Sequence, residues 1–248
     1  MHGGFEYCSK KHMKQTAGSR EEKRAAVEAI RRQLGTRVTS GSELLRVQES
    51  REARAATGMA GLNQQLGGGL SAGQLTEILS GHQGGAGLVM AALLAQARRE
   101  RKYVLLIDVG CGFSPESIPE VDLEVILWVG CRSLPEAVAS LDVATRDENF
   151  SLFLIDLRGC SAADGRSVRP GQWQRILGQL RQRDGVGVVF ADEPITSVAR
   201  RRIRVEARFS CADLDEERSV LWEALTYSLV ERESGSRASR ALYEQRVG

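Results

Sequence analysis

Short apolar runs alternate with amphipathic segments through the middle of the chain. The runs cover residues 75–79, 103–108, 125–129, 151–156 and 185–190. Each is rich in Val, Leu and Ile without regular polar alternation, which is typical of strands buried in a parallel sheet. The segments between them place apolar residues at helical spacing. The pattern therefore predicts an α/β fold, with a mostly parallel central sheet and helices on both faces.

Three of the predicted helices have clear sequence signals. One covers residues 88–100 and ends near two arginines. A second begins at Ser133-Leu134-Pro135-Glu136, which combines a capping box with a proline at the helix start. The third places four apolar residues on one face, namely Trp173, Ile176, Leu177 and Leu180. A shorter helix-like segment, LNQQL, precedes the triple glycine at residues 67–69.

The two ends of the chain differ from this middle. Residues 1–18 are polar and without pattern, so we expect a disordered tail. Residues 19–56 are predicted to form an N-terminal helix, with Ala26, Ile30 and Leu34 on one face, followed by a basic linker. The main domain is predicted to span residues 57–248. At its end, residues 203–209 suggest a half-exposed strand, and 225–230 and 242–247 a hairpin, with helix as an alternative for 220–230.

Composition indicates a globular protein of the reducing cytoplasm. The 248 residues are 42% hydrophobic and 27% charged, as in ordinary soluble domains. The five cysteines are scattered, with no CxxC pair and so no disulfide framework or zinc site. No apolar leader follows the first lysines, and the apolar segment at residues 86–97 is too short to cross a bilayer. We therefore expect a cytoplasmic protein that does not act at a membrane.

The segment ILSGHQGGAGLVM, residues 78–90, has the layout of a phosphate-binding loop. Such a loop needs a lysine to neutralise the phosphates and a Ser or Thr to bind Mg²⁺. Gly87 and Leu88 stand in those two places, and no Lys or Arg occurs between Gly73 and Arg98. We therefore expect no cofactor and no tight binding of ATP.

The order of these features resembles the RecA-like recombinase family over roughly residues 20–232. The resemblance lies in the Thr57-Gly58 turn, the LNQQLGGGL and GQLTEI segments, the glycine loop and the YVLLID strand. Two further stretches, LWVGCRSLPEAVASLDVATRDENFSLFLIDLRG and RRRIRVEARF, are similar to the ImuA group of short RecA-related accessory proteins. The division inhibitor SulA, which also lacks the phosphate loop, belongs to a related fold.

The resemblance implies a RecA-like fold without its catalysis. The family's glutamate after the YVLLID strand corresponds to Gly110 here. Asp156 matches an aspartate that assists Mg²⁺ in the family, although a carboxylate at a strand end also caps the following loop. Asp192 lies where the family has a polar sensor. Phosphoryl transfer needs these parts together, so we expect no enzyme activity.

The basic residues suggest where a partner would bind. Lys and Arg outnumber Asp and Glu at both ends, by 12 to 7 over residues 1–54 and 16 to 13 over 157–248, whereas 55–156 hold 6 against 12. The candidate residues for DNA or partner binding are Arg200, Arg201, Arg202 and Arg204. If Arg200, Arg202 and Arg204 alternate on one face of a strand, they form a cationic stripe for phosphates or acidic surfaces. The alternative is an exposed strand edge protected by charge. Arg166 and Arg169 are a second candidate.

The resemblance to the ImuA group implies a non-catalytic role in the SOS response to DNA damage, in translesion mutagenesis. The expected partners are RecA, a Y-family polymerase relative and an error-prone polymerase, and DNA is a further candidate. Two alternatives remain open. One is a SulA-like division inhibitor that binds a tubulin-like GTPase, and the other is a RecA-like ATPase with an atypical loop.

Overall fold

The structure is a computed structural model that describes residues 53–81, 84–207, 209, 213 and 216–230. All of these residues lie in the compact unit formed by residues 52–248. The predicted tail, the N-terminal helix with Ala26, Ile30 and Leu34, and the predicted strand 242–247 lie outside the described residues.

Seven helices and nine strands are described, besides a 3₁₀ turn at Pro115–Ser117. The strands are β1 (Arg54–Ala55), β2 (Leu70–Ser71), β3 (Gln74–Leu79), β4 (Tyr103–Val109), β5 (Ile126–Cys131), β6 (Phe150–Asp156), β7 (Val186–Ala191), β8 (Arg201–Ala207) and β9 (Leu225–Leu229). The helices are α1 (Ala60–Gln65), α2 (Ala86–Arg99), α3 (Glu120–Leu123), α4 (Leu134–Ala144), α5 (Ala162–Gly165), α6 (Pro170–Gln182) and α7 (Arg218–Glu223).

The central sheet has seven strands in the order β5-β4-β6-β7-β3-β8-β9. Every neighbouring pair is parallel except β8 and β9, which pair antiparallel. The strands β1 and β2 form a separate antiparallel ribbon. The predicted α/β class, the mostly parallel sheet and the antiparallel C-terminal strand are confirmed.

Helices cover both faces of the sheet, as predicted. One apolar layer joins α1 and α2 to residues such as Ile78, Leu106 and Phe190 of the strands. The other joins α4 and α6 to the alternate strand residues, such as Leu79 and Ile107. Strands buried on both faces lose regular polar alternation, which explains the apolar runs in the sequence.

The helix signals in the sequence match the observed boundaries. Ser133 is the N-cap of α4, where its side chain accepts a hydrogen bond from the backbone N–H of Glu136. The Glu136 carboxylate accepts in turn from the N–H of Arg132, one residue before the cap. In α6, the four residues predicted to share a face are all buried. Local capping and burial therefore fix both helices.

The prediction that residues 125–129 form a buried strand is wrong about the burial, although the strand exists and is parallel. Among the described residues, β5 pairs with β4 alone and so lies at an edge of the sheet. Leu127 and Trp128 are consequently 50% and 44% exposed. The apolar run resembles those of the inner strands, but the lack of a second described neighbour leaves it half uncovered.

The C-terminal predictions are confirmed in part. Residues 218–223 are helical and Leu225–Leu229 form a strand, so the helix and strand alternatives each hold for one part of the segment. The strand β9 pairs with β8. Within the described part of the chain, no helix is long and apolar enough to cross a membrane.

Candidate functional site

The glycine turn lies between β3, in the interior of the sheet, and α2. Gly85 is the N-cap of α2 and has a φ of 96°, a left-handed conformation that favours glycine. A Cβ on Gly85 would also lie 2.8 Å from a methyl carbon of Val205. The turn therefore requires a glycine both for its backbone and for its packing against β8.

The first turn of α2 carries no charged side chain. Gly87 is exposed, and a Cβ there would meet nothing within 4 Å. Leu88, the next residue, packs partly against the apolar layer under α2. The strand–turn–helix geometry is thus present, while the groups that would neutralise and hold a phosphate with its metal are absent from positions 87 and 88.

Glu77 of β3 is a buried carboxylate that the sequence analysis missed. It is fully buried and forms an ion pair with Arg202, its partner across the β3–β8 ladder. Its Oε1 accepts hydrogen bonds from the backbone N–H groups of Ile195 at 2.9 Å and Thr196 at 2.8 Å. Arg202 in turn donates to the Thr196 carbonyl at 2.6 Å. In the sequence, the signal that could have indicated this buried carboxylate was a single charged residue within the apolar run LTEIL.

The Glu77–Arg202 pair explains the conformation of the segment ITSVA, residues 195–199. Ile195, Thr196 and Val198 are buried, and the Thr196 hydroxyl also accepts a hydrogen bond from the N–H of Ala199. Hydrogen bonds to Glu77 and Arg202 therefore hold this segment against the sheet, and it does not extend into solvent.

A second group of buried carboxylates lies at the carboxyl ends of β4 and β6. Asp108 and Asp156 are partners across this ladder, and both side chains are almost wholly buried. Asp108 accepts hydrogen bonds from the N–H groups of Gly112 and Phe113 and from the indole of Trp128 at 3.2 Å. The Trp128 ring also meets Phe113 edge to face, with centroids 5.4 Å apart. Asp108 thus fixes the turn after β4 and the exposed tryptophan of β5.

Asp156 holds Arg158 in a fixed orientation. Its Oδ1 accepts from the Nε of Arg158 at 2.8 Å and from the backbone N–H of Arg158 at 3.1 Å, and its Oδ2 accepts from Nη2. This carboxylate raises the pKa of the Arg158 guanidinium. The geometry agrees with the loop-capping interpretation of Asp156. The arginine supplies the positive charge that the carboxylate needs.

The carboxyl ends of β4 and β6 form a topological switch point. The chain leaves β4 towards β5 on one side, whereas it leaves β6 towards β7 on the other. Ligands of open α/β sheets bind in the crevice that such a divergence opens. Here the crevice is a cavity of about 450 Å³, the switch-point cleft. It is lined by Gly110 and Gly112 after β4, Arg132 and Ser133 after β5, and Arg158 and Cys160 after β6.

Of the four arginines predicted to bind DNA or a partner, Arg202 and Arg204 share one face of β8, whereas Arg201 lies on the other face with Ile203 and Val205. Arg201 donates to the Leu66 carbonyl at the end of α1, on the side of the sheet that α1 and α2 cover. Arg202 is committed to Glu77, and the backbone N–H of Arg200 donates to the Leu75 carbonyl. Arg204 is half-buried opposite Leu79 of β3 and Ser228 of β9.

The alternative of an exposed edge strand is wrong for this segment, because β8 pairs with both β3 and β9.

The structure also places the other residues that the sequence singled out. Asp192 accepts from the N–H of Gly159 at 3.0 Å and so ties the ends of β6 and β7 together. Arg166 and Arg169 lie between the short helix α5 and α6.

No protein-family model and no curated protein matches the chain. Within the described residues, no group of three or more His, Cys, Asp or Glu side chains is placed to hold a metal ion. The candidate site consists of the glycine turn after β3 and of the switch-point cleft after β4, β5 and β6.

Proposed function

We propose that this chain is a non-catalytic RecA-like accessory protein of the bacterial DNA-damage response. It resembles the ImuA group and acts in translesion mutagenesis by binding protein partners, among them RecA and a Y-family polymerase relative. The observation that carries the proposal is the glycine turn between β3 and α2. It keeps the strand–turn–helix order of a phosphate loop, with Gly87 and Leu88 in place of the cation and the hydroxyl.

Two features of the carboxyl ends of the neighbouring strands support the absence of ATP hydrolysis. Gly110 follows β4 where the RecA-like family has its glutamate, and it provides no base to orient a water molecule. Asp156 is already paired with Arg158, so its oxygens are occupied by an internal cation. A bound metal would have to compete with that guanidinium.

The edge strand β5 supports a role in protein binding. Leu127 and Trp128 are about half exposed, and this strand has no charged residue between Ile126 and Cys131. Exposed apolar edges accept an added strand from a partner, because main-chain hydrogen bonds and side-chain contacts form together. Charged or twisted edges are the usual protection against such pairing, and β5 has neither a charge nor a proline.

A nucleotide-binding experiment tests the first half of the proposal. We expect no rise in melting temperature with ATP and Mg²⁺ at about 1 mM, because a bound ligand would stabilise the fold by RT ln(1 + [L]/Kd). The triple variant Ala86→Gly, Gly87→Lys, Leu88→Thr rebuilds the missing groups on the same turn and serves as the matched control. It should gain a Mg²⁺-dependent shift. A clear shift in the unaltered protein would contradict the proposal and favour the ATPase alternative.

An affinity capture from DNA-damaged cells tests the second half. We expect RecA and polymerase subunits with the unaltered chain, and at least a tenfold loss with Leu127→Lys, because a charge on an edge strand opposes strand addition. Val143→Lys is the matched control, since Val143 is an exposed apolar residue of α4 outside the edge strand. Recovery of a tubulin-like GTPase in place of polymerase subunits would favour the SulA-like alternative.

A further inference from the structure

The switch-point cleft contains an arginine with unused donors. Arg158 turns its Nε and Nη2 edge towards Asp156, and Nη1 has no acceptor among the described residues. The side chain of Arg158 is 29% exposed, whereas that of Asp156 is 2% exposed. A buried carboxylate therefore holds in place the guanidinium of an arginine that lines the cleft. Little side-chain entropy would be lost when this arginine binds a ligand.

A second cation lines the opposite side of the cleft. Arg132 follows β5 and is exposed, and its guanidinium makes no hydrogen bond or ion pair with the part of the chain that the structure describes. The next residues, Ser133 to Pro135, begin α4 and also line the cleft. The positive end of this 11-residue helix adds to the potential of the two arginines.

The carboxylates around the cleft are already engaged. Asp164 accepts from both the N–H and the hydroxyl of Ser161, and Asp156 is paired with Arg158. Asp108 lies behind the turn that follows β4, since a Cβ on Gly112 would be 3.9 Å from a carboxylate oxygen of both Asp108 and Asp156. The two arginines thus present free donors, whereas the nearby negative charge limits how much anionic charge the cleft can accept.

From these contacts we infer that the switch-point cleft binds a small molecule through one oxyanion group, a carboxylate or a phosphate monoester, held between Arg132 and Arg158. The volume of about 450 Å³ is in the range of small-molecule sites. A triphosphate does not fit this charge balance, because its extra charges would lie near Asp164, a carboxylate that lines the cleft. No described residue of the glycine turn between β3 and α2 lines the cleft, and we place the binding site at the cleft rather than at that turn.

The test is a titration of the full chain with inorganic phosphate and, separately, with acetate, at constant ionic strength set by chloride. Thermal stability or NMR chemical shifts report binding. We expect saturable binding of at least one of the two anions, and the tighter of them identifies the group that the cleft prefers. Arg132→Gln should weaken this binding about tenfold, since one charge-assisted contact is removed. Arg132 is exposed, so this variant should fold normally.

Two matched controls separate the cleft from other sources of binding. Arg181→Gln removes an exposed arginine of α6 outside the cleft, and Gly87→Glu places a negative charge beside the glycine turn. Both variants should bind the anion as the unaltered chain does. Absence of saturable binding, an equal loss in Arg181→Gln, or a loss confined to Gly87→Glu would overturn the inference.

Discussion

Two carboxylate–arginine pairs at the sheet use the same chemistry in different surroundings. In the β3–β8 pair, Glu77 is 0% and Arg202 is 12% exposed, and both partners make further hydrogen bonds to residues 195 and 196. In the β6 pair, Asp156 is as buried as Glu77, but Arg158 opens onto the switch-point cleft. The first pair makes three further hydrogen bonds within the fold, whereas the Arg158 side chain is more exposed and bonds only to Asp156 among the described residues.

This difference separates a structural ion pair from a candidate binding one. A fully buried pair stabilises the fold mainly because the loss of one partner leaves the other charge unpaired. When a pair with one solvent-facing partner is disrupted, the fold loses less stability, since water can hydrate the remaining charge. The two pairs should therefore respond differently to matched substitutions.

The largest effect is expected for Glu77→Gln. This change leaves Arg202 buried without a counter-charge, and we expect the free energy of unfolding to fall by about 3–5 kcal/mol. Urea denaturation measures it. Adding Arg202→Met removes the unpaired cation and should recover part of the loss, though the Ile195 and Thr196 N–H groups still lose a charged acceptor. A loss below about 1 kcal/mol for Glu77→Gln would contradict a structural role for the pair.

A smaller effect is expected for Asp156→Asn. The amide still accepts from the Arg158 backbone N–H, and the partly exposed guanidinium keeps its hydration, so we expect a loss of about 1–2 kcal/mol. Urea denaturation alongside the unaltered chain measures this loss. Destabilisation as large as that of Glu77→Gln would remove the distinction between the two pairs.

Lysine substitution compares the two arginines directly. A lysine cannot reproduce the forked contacts of a guanidinium, and this matters most where the group is enclosed. We expect Arg202→Lys to be less stable than Arg158→Lys by about 1 kcal/mol in urea denaturation. Equal values for the two variants would indicate that enclosure does not set the strength of these pairs.

The sheet and its helices could largely be predicted, because burial on both faces leaves a direct trace in the sequence. The apolar runs at β3, β4, β6 and β7 and the capped start of α4 all correspond to observed elements. The edge position of β5 could not be predicted, since an apolar run does not record how many neighbours a strand has. The ribbon of β1 and β2, with two residues in each strand, is too short for a periodic signal.

The candidate site was predicted less completely than the fold. The glycine turn was visible because its spacing is local, whereas the Glu77–Arg202 pair joins residues 125 positions apart. The switch-point cleft depends on the strand order, which brings the residues after β4, β5 and β6 together. The alternation of strand faces predicted that Arg202 and Arg204 share a face without Arg201, but it could not predict that Arg202 pairs with Glu77.

The smallest effect on stability is expected at Arg204, two residues from Arg202 on the same face of β8. Arg204 is half-buried and has no ion pair within the described residues, so Arg204→Glu should change the free energy of unfolding by less than about 0.5 kcal/mol.

The same variant also tests whether Arg204 contacts DNA phosphates. If it does, Arg204→Glu should weaken the binding of a single-stranded oligonucleotide, and the affinity should depend less on salt concentration, by the contribution of about one charge. Fluorescence anisotropy at several salt concentrations measures both, with Arg181→Glu as the matched control. Equal anisotropy curves for Arg204→Glu and the unaltered chain would show that Arg204 does not contact DNA. A destabilisation approaching that of Glu77→Gln would instead give Arg204 the structural role of its neighbour.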